Sequence, residues 1–135
     1  MDRSLKPHLI EFRQILDLRG ALTPINSGLD VPFEIKRVYF IYDVSAGAGR
    51  AGHSHKQLEQ ILIAVSGSFK VHLDNSYEKQ TFYLNRPNVG LYVPRMYWRD
   101  IDDFSSNSIC LALASDHYDE ADYYRDYDDF VRALG

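Results

Sequence analysis

Short apolar runs of β character, cut by turn signals at close intervals, decide most of what this 135-residue chain can fold into. The runs are Leu9–Leu16, Leu22–Pro24, Glu34–Asp43, His53–Ser66, Ser68–Asp74, Lys79–Leu84, Val89–Val93 and Ser108–Ala114. Between them lie Arg19-Gly20, Ser27-Gly28, Gly47-Ala48-Gly49, Ser66-Gly67, Asp74-Asn75-Ser76 and Asn85-Arg86-Pro87-Asn88. Strands of this length, with turns at this spacing, predict an all-β barrel or sandwich. Phe69, Val71 and Leu73 alternate with Lys70, His72 and Asp74, a two-faced strand. Only the end changes character. From Tyr118 to Leu134 apolar and aromatic residues recur at spacings of three and four, which predicts a short amphipathic helix closing the fold. Asp119 and Glu120 would sit at its positive end and Arg132 at its negative end. With no repeat, low-complexity tract or linker, residues 1–135 read as a single domain.

The balance of 15 Lys+Arg against 19 Asp+Glu argues against a broad nucleic-acid footprint. No stretch approaches the roughly 20 apolar residues of a membrane span, and the stretch Met1–His8 lacks the apolar segment of a signal peptide. The single cysteine, Cys110, lies in an apolar run and reads as a buried, inert thiol suited to a reducing cytoplasm. The expectation is a soluble, cytoplasmic protein.

Chemistry concentrates in Arg50-Ala51-Gly52-His53-Ser54-His55-Lys56-Gln57-Leu58-Glu59. Alternation in a strand sends residues i and i+2 to one face, so His53 and His55 point together into the space the sheet encloses, with Glu59 on the same face. Two converging imidazoles make either a metal site or a proton-transfer site. His53, His55 and Glu59 would be the three protein ligands of the first. His8, His72 and His117 have no ligand-like spacing. Arg37 and Tyr39 share one face of Glu34–Asp43, and Arg50, Lys70 and Arg99 add further positive charge. Arginine's planar fork matches phosphate geometry. Since Gly47-Ala48-Gly49 fits neither the Walker A nor the dinucleotide pattern, a phosphorylated or nucleotide-linked small molecule held by side chains is the natural ligand.

Gly49, His53, His55, Glu59 and the later Gly67 together resemble the first motif of the cupin superfamily, with one extra residue between Glu59 and Gly67. The resemblance implies a cupin (RmlC-like jelly-roll) β-barrel with a short C-terminal helix. Metal-binding cupins take a last histidine ligand from a second motif. The matching stretch here, Gly90-Leu91-Tyr92-Val93-Pro94-Arg95-Met96-Tyr97-Trp98-Arg99, has none.

Further segments narrow the likeness. They are Asp17–Ile25, Pro32–Tyr39, Arg50–Glu59, Gly90–Val93 with Trp98, Asp103–Ser106 and Leu113–Tyr127. On these the chain resembles the dTDP-4-dehydro-6-deoxyglucose 3,4-ketoisomerases of bacterial deoxy- and amino-sugar biosynthesis. The resemblance implies isomerisation without metal or other cofactor. A 4-keto-6-deoxyhexose linked to dTDP loses its C3 proton, passes through an enediol or enediolate, and regains a proton at C4. His53 would be the principal base and His55 would relay or return the proton. Tyr39 and Arg99 would stabilise the enediolate, Arg37 and Arg50 would hold the diphosphate, and Lys70 would assist in binding. Glu59 would orient a histidine. Residues matching Arg19 and Arg99 differ between family members of opposite C4 configuration, and this chain carries a mixed pair, so both products stay open. A homodimer is implied, with Leu9–Leu16 available for strand exchange. A dTDP-sugar 3- or 5-epimerase, a non-catalytic sugar-nucleotide-binding cupin and a metal-dependent cupin are the alternatives.

Overall fold

The computed structural model describes residues 6–45 and 47–135; the leader-free reading of the N-terminus falls partly on residues 1–5, outside those described. Among the described residues twelve strands and one α-helix follow in order: β1 His8–Glu11, β2 Ile15–Asp17, β3 Gly20–Leu22, β4 Arg37–Ile41, β5 Arg50–His55, β6 Gln60–Ser66, β7 Phe69–Asp74, β8 Lys79–Leu84, β9 Val89–Val93, β10 Trp98–Asp102, β11 Ile109–Ala114, β12 Tyr123–Tyr124 and α1 Tyr127–Leu134. They build two five-stranded antiparallel sheets. One has the order β1-β9-β6-β11-β4 and the other β12-β5-β10-β7-β8, while β2 and β3 form a separate hairpin.

Alternation decides what lies between the sheets. In β7 Phe69, Val71 and Leu73 are buried and face Leu62, Ala64, Leu91, Val93, Cys110 and Ala112 of the other sheet. A second apolar cluster forms on the outer face of the first sheet, where Ile61, Ile63, Tyr92 and Leu113 are covered by Phe12, Val31 and Phe33. Gly90 makes this cover possible, since a Cβ there would sit 2.6 Å from Ile61 and 2.7 Å from the Phe12 ring. Gly67 turns β6 into β7 at φ +67, pressed against the Ser108 backbone.

Four expectations are corrected. The run Leu9–Leu16 is two short strands, not one. The run His53–Ser66 breaks between His55 and Gln60, because the backbone N–H groups of Lys56, Gln57 and Leu58 bond Asp122 instead of a neighbouring strand. A strand absent from the reading, β10, lies at the centre of the second sheet between β5 and β7. The final helix covers only Tyr127–Leu134. Its acidic approach is a 3-10 turn at Glu120–Asp122 capped by the Asp119 side chain, then β12, which pairs with β5. Asp126 caps α1, and Trp98 packs edge-on against Tyr127 and beside Phe130. No helix among the described residues is long and apolar enough to cross a membrane.

Candidate active site

A cavity of about 620 Å³ opens between the sheets at the β4–β5 end, lined by Arg37, Tyr39, Arg50, His53, Gln60, Arg99, Tyr123 and Arg125, with Phe40 and Tyr42 at its rim. Register explains the gathering. Arg99 stands directly opposite His53 across β10 and β5, so both side chains face the interior. Strict alternation would put Arg50, three residues before His53, on the other face. A β-bulge intervenes: the β5–β10 register shifts between Arg50 and His53, with Gly52 at φ +60. Arg50 and His53 therefore line the same cavity.

His55 lies deeper, 2 % exposed. Its ring centroid is 5.0 Å from that of His53, at right angles, and 4.4 Å from Tyr123, its cross-strand partner. Asp122 holds it. One carboxylate oxygen accepts from His55 Nδ1 at 3.1 Å and from the Leu58 N–H at 3.2 Å, and the other accepts from the Gln57 N–H at 2.8 Å. A carboxylate in that arrangement only accepts, so the His55 proton sits on Nδ1 and Nε2 carries the lone pair. Burial, then the positive charge of Arg99, then that of His53, push the His55 pKa down to about 2. The contact with Asp122 is accordingly a hydrogen bond from a neutral ring rather than an ion pair.

Arg99 is buried at 2 % exposure. Burial pulls it down to about 10, which leaves it charged at neutral pH. It donates through Nη1 to Gln60 Oε1 at 2.5 Å and through Nη2 to the Tyr97 carbonyl at 3.0 Å, while Nε has no hydrogen-bond partner. Gln60 donates to the Tyr39 hydroxyl at 3.0 Å. Burial raises Tyr39 above the usual phenol range, so it stays protonated. At the mouth the Arg37 guanidinium lies 4.7 Å over the Tyr39 ring, and Arg125 lies 4.2 Å over Tyr123 while gripping both oxygens of Glu120. The arrangement is a pair of imidazoles, the inner one neutral, beside a phenol and a buried cation, with guanidinium groups around the opening.

Six of the eight residues singled out from sequence (His53, His55, Tyr39, Arg99, Arg37 and Arg50) come together at this cavity, His55 as the buried neighbour of His53. Two do not. Lys70 falls on the outer face of β7, as its alternation with Phe69 and Val71 requires, and pairs with Asp103 at 3.3 Å. Arg19 projects from the β2–β3 hairpin, 90 % exposed and bonded to Asp17 at 2.6 Å. Glu59 also departs from expectation. It precedes β6 outside the histidine strand and accepts from the Tyr92 hydroxyl beside the outer cluster, so it neither orients a histidine nor completes a ligand set with the pair. Among the described residues no three His, Cys, Asp or Glu side chains converge to hold a metal ion.

Asp122, Gln60, Tyr123 and Arg125 escaped the sequence reading. The signal for the last three was present, in a buried polar residue opening an apolar strand and in Tyr-Tyr-Arg after an acidic run. Asp122 had none, because its partner lies 67 residues away.

The FdtA family (WxcM-like, C-terminal) matches residues 5–135. The chain belongs to that family. It is 46 % identical over 126 residues to the TDP-4-oxo-6-deoxy-alpha-D-glucose-3,4-oxoisomerase of Aneurinibacillus thermoaerophilus, covering 93 % of this chain and 91 % of that one. It superposes with a TM-score of 0.93 on the 3,4-ketoisomerase of Thermoanaerobacterium thermosaccharolyticum. That structure is a His-to-Asn variant holding TDP-4-keto-6-deoxyglucose, 42 % identical, with 99 % of this chain and 96 % of that chain covered. The TDP-quinovose 3,4-ketoisomerase of Campylobacter jejuni gives a TM-score of 0.90 at 44 % identity, over 93 % of this chain and 97 % of its own. The fold of this family member is the cupin jelly roll.

Proposed function

We propose that this chain is a 3,4-ketoisomerase acting on TDP-4-keto-6-deoxyglucose and that the cavity is its active site. One observation supports the reading above the rest: His53 faces the same space as a protonated phenol and a buried guanidinium, with three further guanidinium groups around it. The nucleoside diphosphate is held by Arg37, Arg50 and Arg125, whose forks suit phosphate oxygens. His53 takes the C3 proton, and the C3–H electron pair becomes the C3–C4 double bond as charge moves to the C4 oxygen. Tyr39 and Arg99 face that oxygen and stabilise it, a contribution of about 10²–10³-fold where such donors have been removed. Passage of the 3-hydroxyl proton to the C4 oxygen and delivery of a proton to C4 then leave the ketone at C3 and a hydroxyl at C4. His55, neutral and aligned by Asp122, packs edge-on against His53 and supports it, and His53, once protonated, supplies the proton to C4 after exchange with solvent. The steps need side chains alone.

Two exposed apolar patches fit a dimer. Leu16, Leu18 and Leu22 on the β2–β3 hairpin are exposed, as are Val38 and Phe40 on the edge strand β4 and Tyr42 just after it, beside the cavity rim. A second copy is proposed to cover both patches, its hairpin carrying Arg19 to this cavity. A nucleotide-linked substrate and an unpaired cysteine, buried with its pKa raised to about 12, support a cytoplasmic setting.

The test is turnover of TDP-4-keto-6-deoxyglucose in D₂O with product NMR. The expected product has its ketone at C3 and deuterium at C4, and His53→Asn loses at least about a hundredfold in kcat. A product inverted at C3 or C5 with the ketone unmoved makes the protein an epimerase instead. Activity abolished by a chelator and restored by a divalent ion overturns the side-chain mechanism.

A further inference from the structure

The roles given to Tyr39 and Arg99 leave open what fixes the direction of the Tyr39 proton, and Gln60 answers it. Gln60 opens β6, is 1 % exposed, and points to the cavity side with Leu62 and Ala64, while Glu59 before it bonds Tyr92. Its amide could in principle face either way. Arg99 removes the choice, because a guanidinium has donors and no acceptor. The Gln60 oxygen must therefore face Arg99 Nη1, and the Gln60 NH₂ must face Tyr39. An NH₂ can only donate, so the Tyr39 oxygen accepts, and its own hydrogen is turned away from Gln60.

We propose that Gln60 is a positioning residue that makes the Tyr39 hydroxyl a proton donor into the cavity. The inference rests on the ketoisomerase reading and adds a direction to it. Arg99, Gln60 and Tyr39 form a one-way relay of donors that starts at a buried cation and ends at the substrate oxygen. A hydroxyl held this way is ready for developing charge and needs no reorientation as the reaction proceeds.

Gln60→Glu tests the direction. The new carboxylate still accepts from Arg99, supplying a buried counter-charge that keeps the fold. It also accepts from Tyr39, which swings the phenolic hydrogen out of the cavity. The expected result is a kcat lower by about a hundredfold with KM within about twofold, the pattern of a lost transition-state donor. Tyr39→Phe should lose a similar factor, and the double variant should lose no more than either single one. A merely structural Gln60 would instead multiply the two losses or move KM, and either result overturns the proposal, as does a Gln60→Glu enzyme of wild-type kcat.

If Gln60→Glu does not fold, Gln60→Met keeps the volume and removes both hydrogen bonds. It should lower kcat by about tenfold at constant KM, since the hydroxyl is no longer held; an unchanged kcat overturns the proposal. Wild-type turnover is the control. Its absence removes the ketoisomerase reading and this inference with it, whereas wild-type turnover beside an unimpaired Gln60→Glu removes the inference alone.

Discussion

Asp122 carries more of the proposed site than any other single side chain outside the cavity wall. Its two oxygens accept three N–H groups, and its side chain is only 16 % exposed. Asp122→Asn keeps the shape but turns one acceptor into a donor facing N–H groups. Hydrogen bonds to a charged group contribute about 1.5–3 kcal/mol each at most, so a loss of about 2–4 kcal/mol in stability is expected. A tenfold or larger fall in kcat should accompany it as His55 loses its tautomer. Thermal unfolding and steady-state kinetics on one preparation check both.

His55 gives a second test at the same scale. Its pKa is about 2 in the folded chain against an ordinary 6.5. A depressed histidine stays neutral when folded, whereas the unfolded chain binds a proton below about 6.5. The stability it contributes is therefore full above that pH and declines as the pH falls toward 2, by up to about 1.4 kcal/mol per unit. Denaturant unfolding at pH 7.5 and 5.5 should show a smaller loss of stability in His55→Gln than in the wild type. An equal loss in both would show that His55 does not titrate in this way.

At the scale of elements, the segment from the 3-10 turn through β12 decides the shape of the mouth. It places Asp122 on His55, Tyr123 against both histidines and Arg125 at the rim. Arg125 is held by Glu120 and Tyr123 at a place where a diphosphate needs a cation. Arg125→Met should raise KM roughly tenfold with kcat nearly unchanged, the mark of binding lost equally from ground and transition states. This segment also shows where local pattern stops informing. Spacings of three and four around Tyr123, Tyr127 and Phe130 are helical in appearance, and only pairing with β5 turns Tyr123 and Tyr124 into a strand. The strand β10 was hidden for a related reason. Trp98-Arg99-Asp100-Ile101-Asp102 has three charges in five residues, and its inward face pairs Ile101 with an arginine bonded to Gln60 and Tyr97. Where period two was unbroken, the reading placed side chains well, as with Arg37, Tyr39, His53 and His55. Lys70 was misread as a binding residue, although its alternation with Val71 already put it on the outer face. The Gly52 bulge that brings Arg50 inward is a register event, fixed by β10 and not by its own neighbours.

For the whole molecule the question is whether one chain makes one complete site. The exposed Leu16, Leu18 and Leu22 and the exposed Val38, Phe40 and Tyr42 are apolar surfaces that water disfavours, and the second group borders the cavity. Covering them with a second copy gives a twofold assembly of twice the 15.6 kDa chain mass, measurable by light scattering. Leu18→Glu with Phe40→Asp should shift it toward the monomer. Arg19 makes the sharper test, because on its own chain it stands 90 % exposed and outside the cavity lining. If it serves the partner's cavity, Arg19→Ala and His53→Asn are each impaired alone, but mixed dimers regain one site with Arg19 from one copy and His53 from the other. Random exchange makes half the dimers mixed, each with one complete site, so refolding an equal mixture should restore about a quarter of wild-type activity. Restoration far below that level, in a preparation proven to exchange subunits, would place Arg19 outside the reaction and leave the hairpin as a contact surface alone.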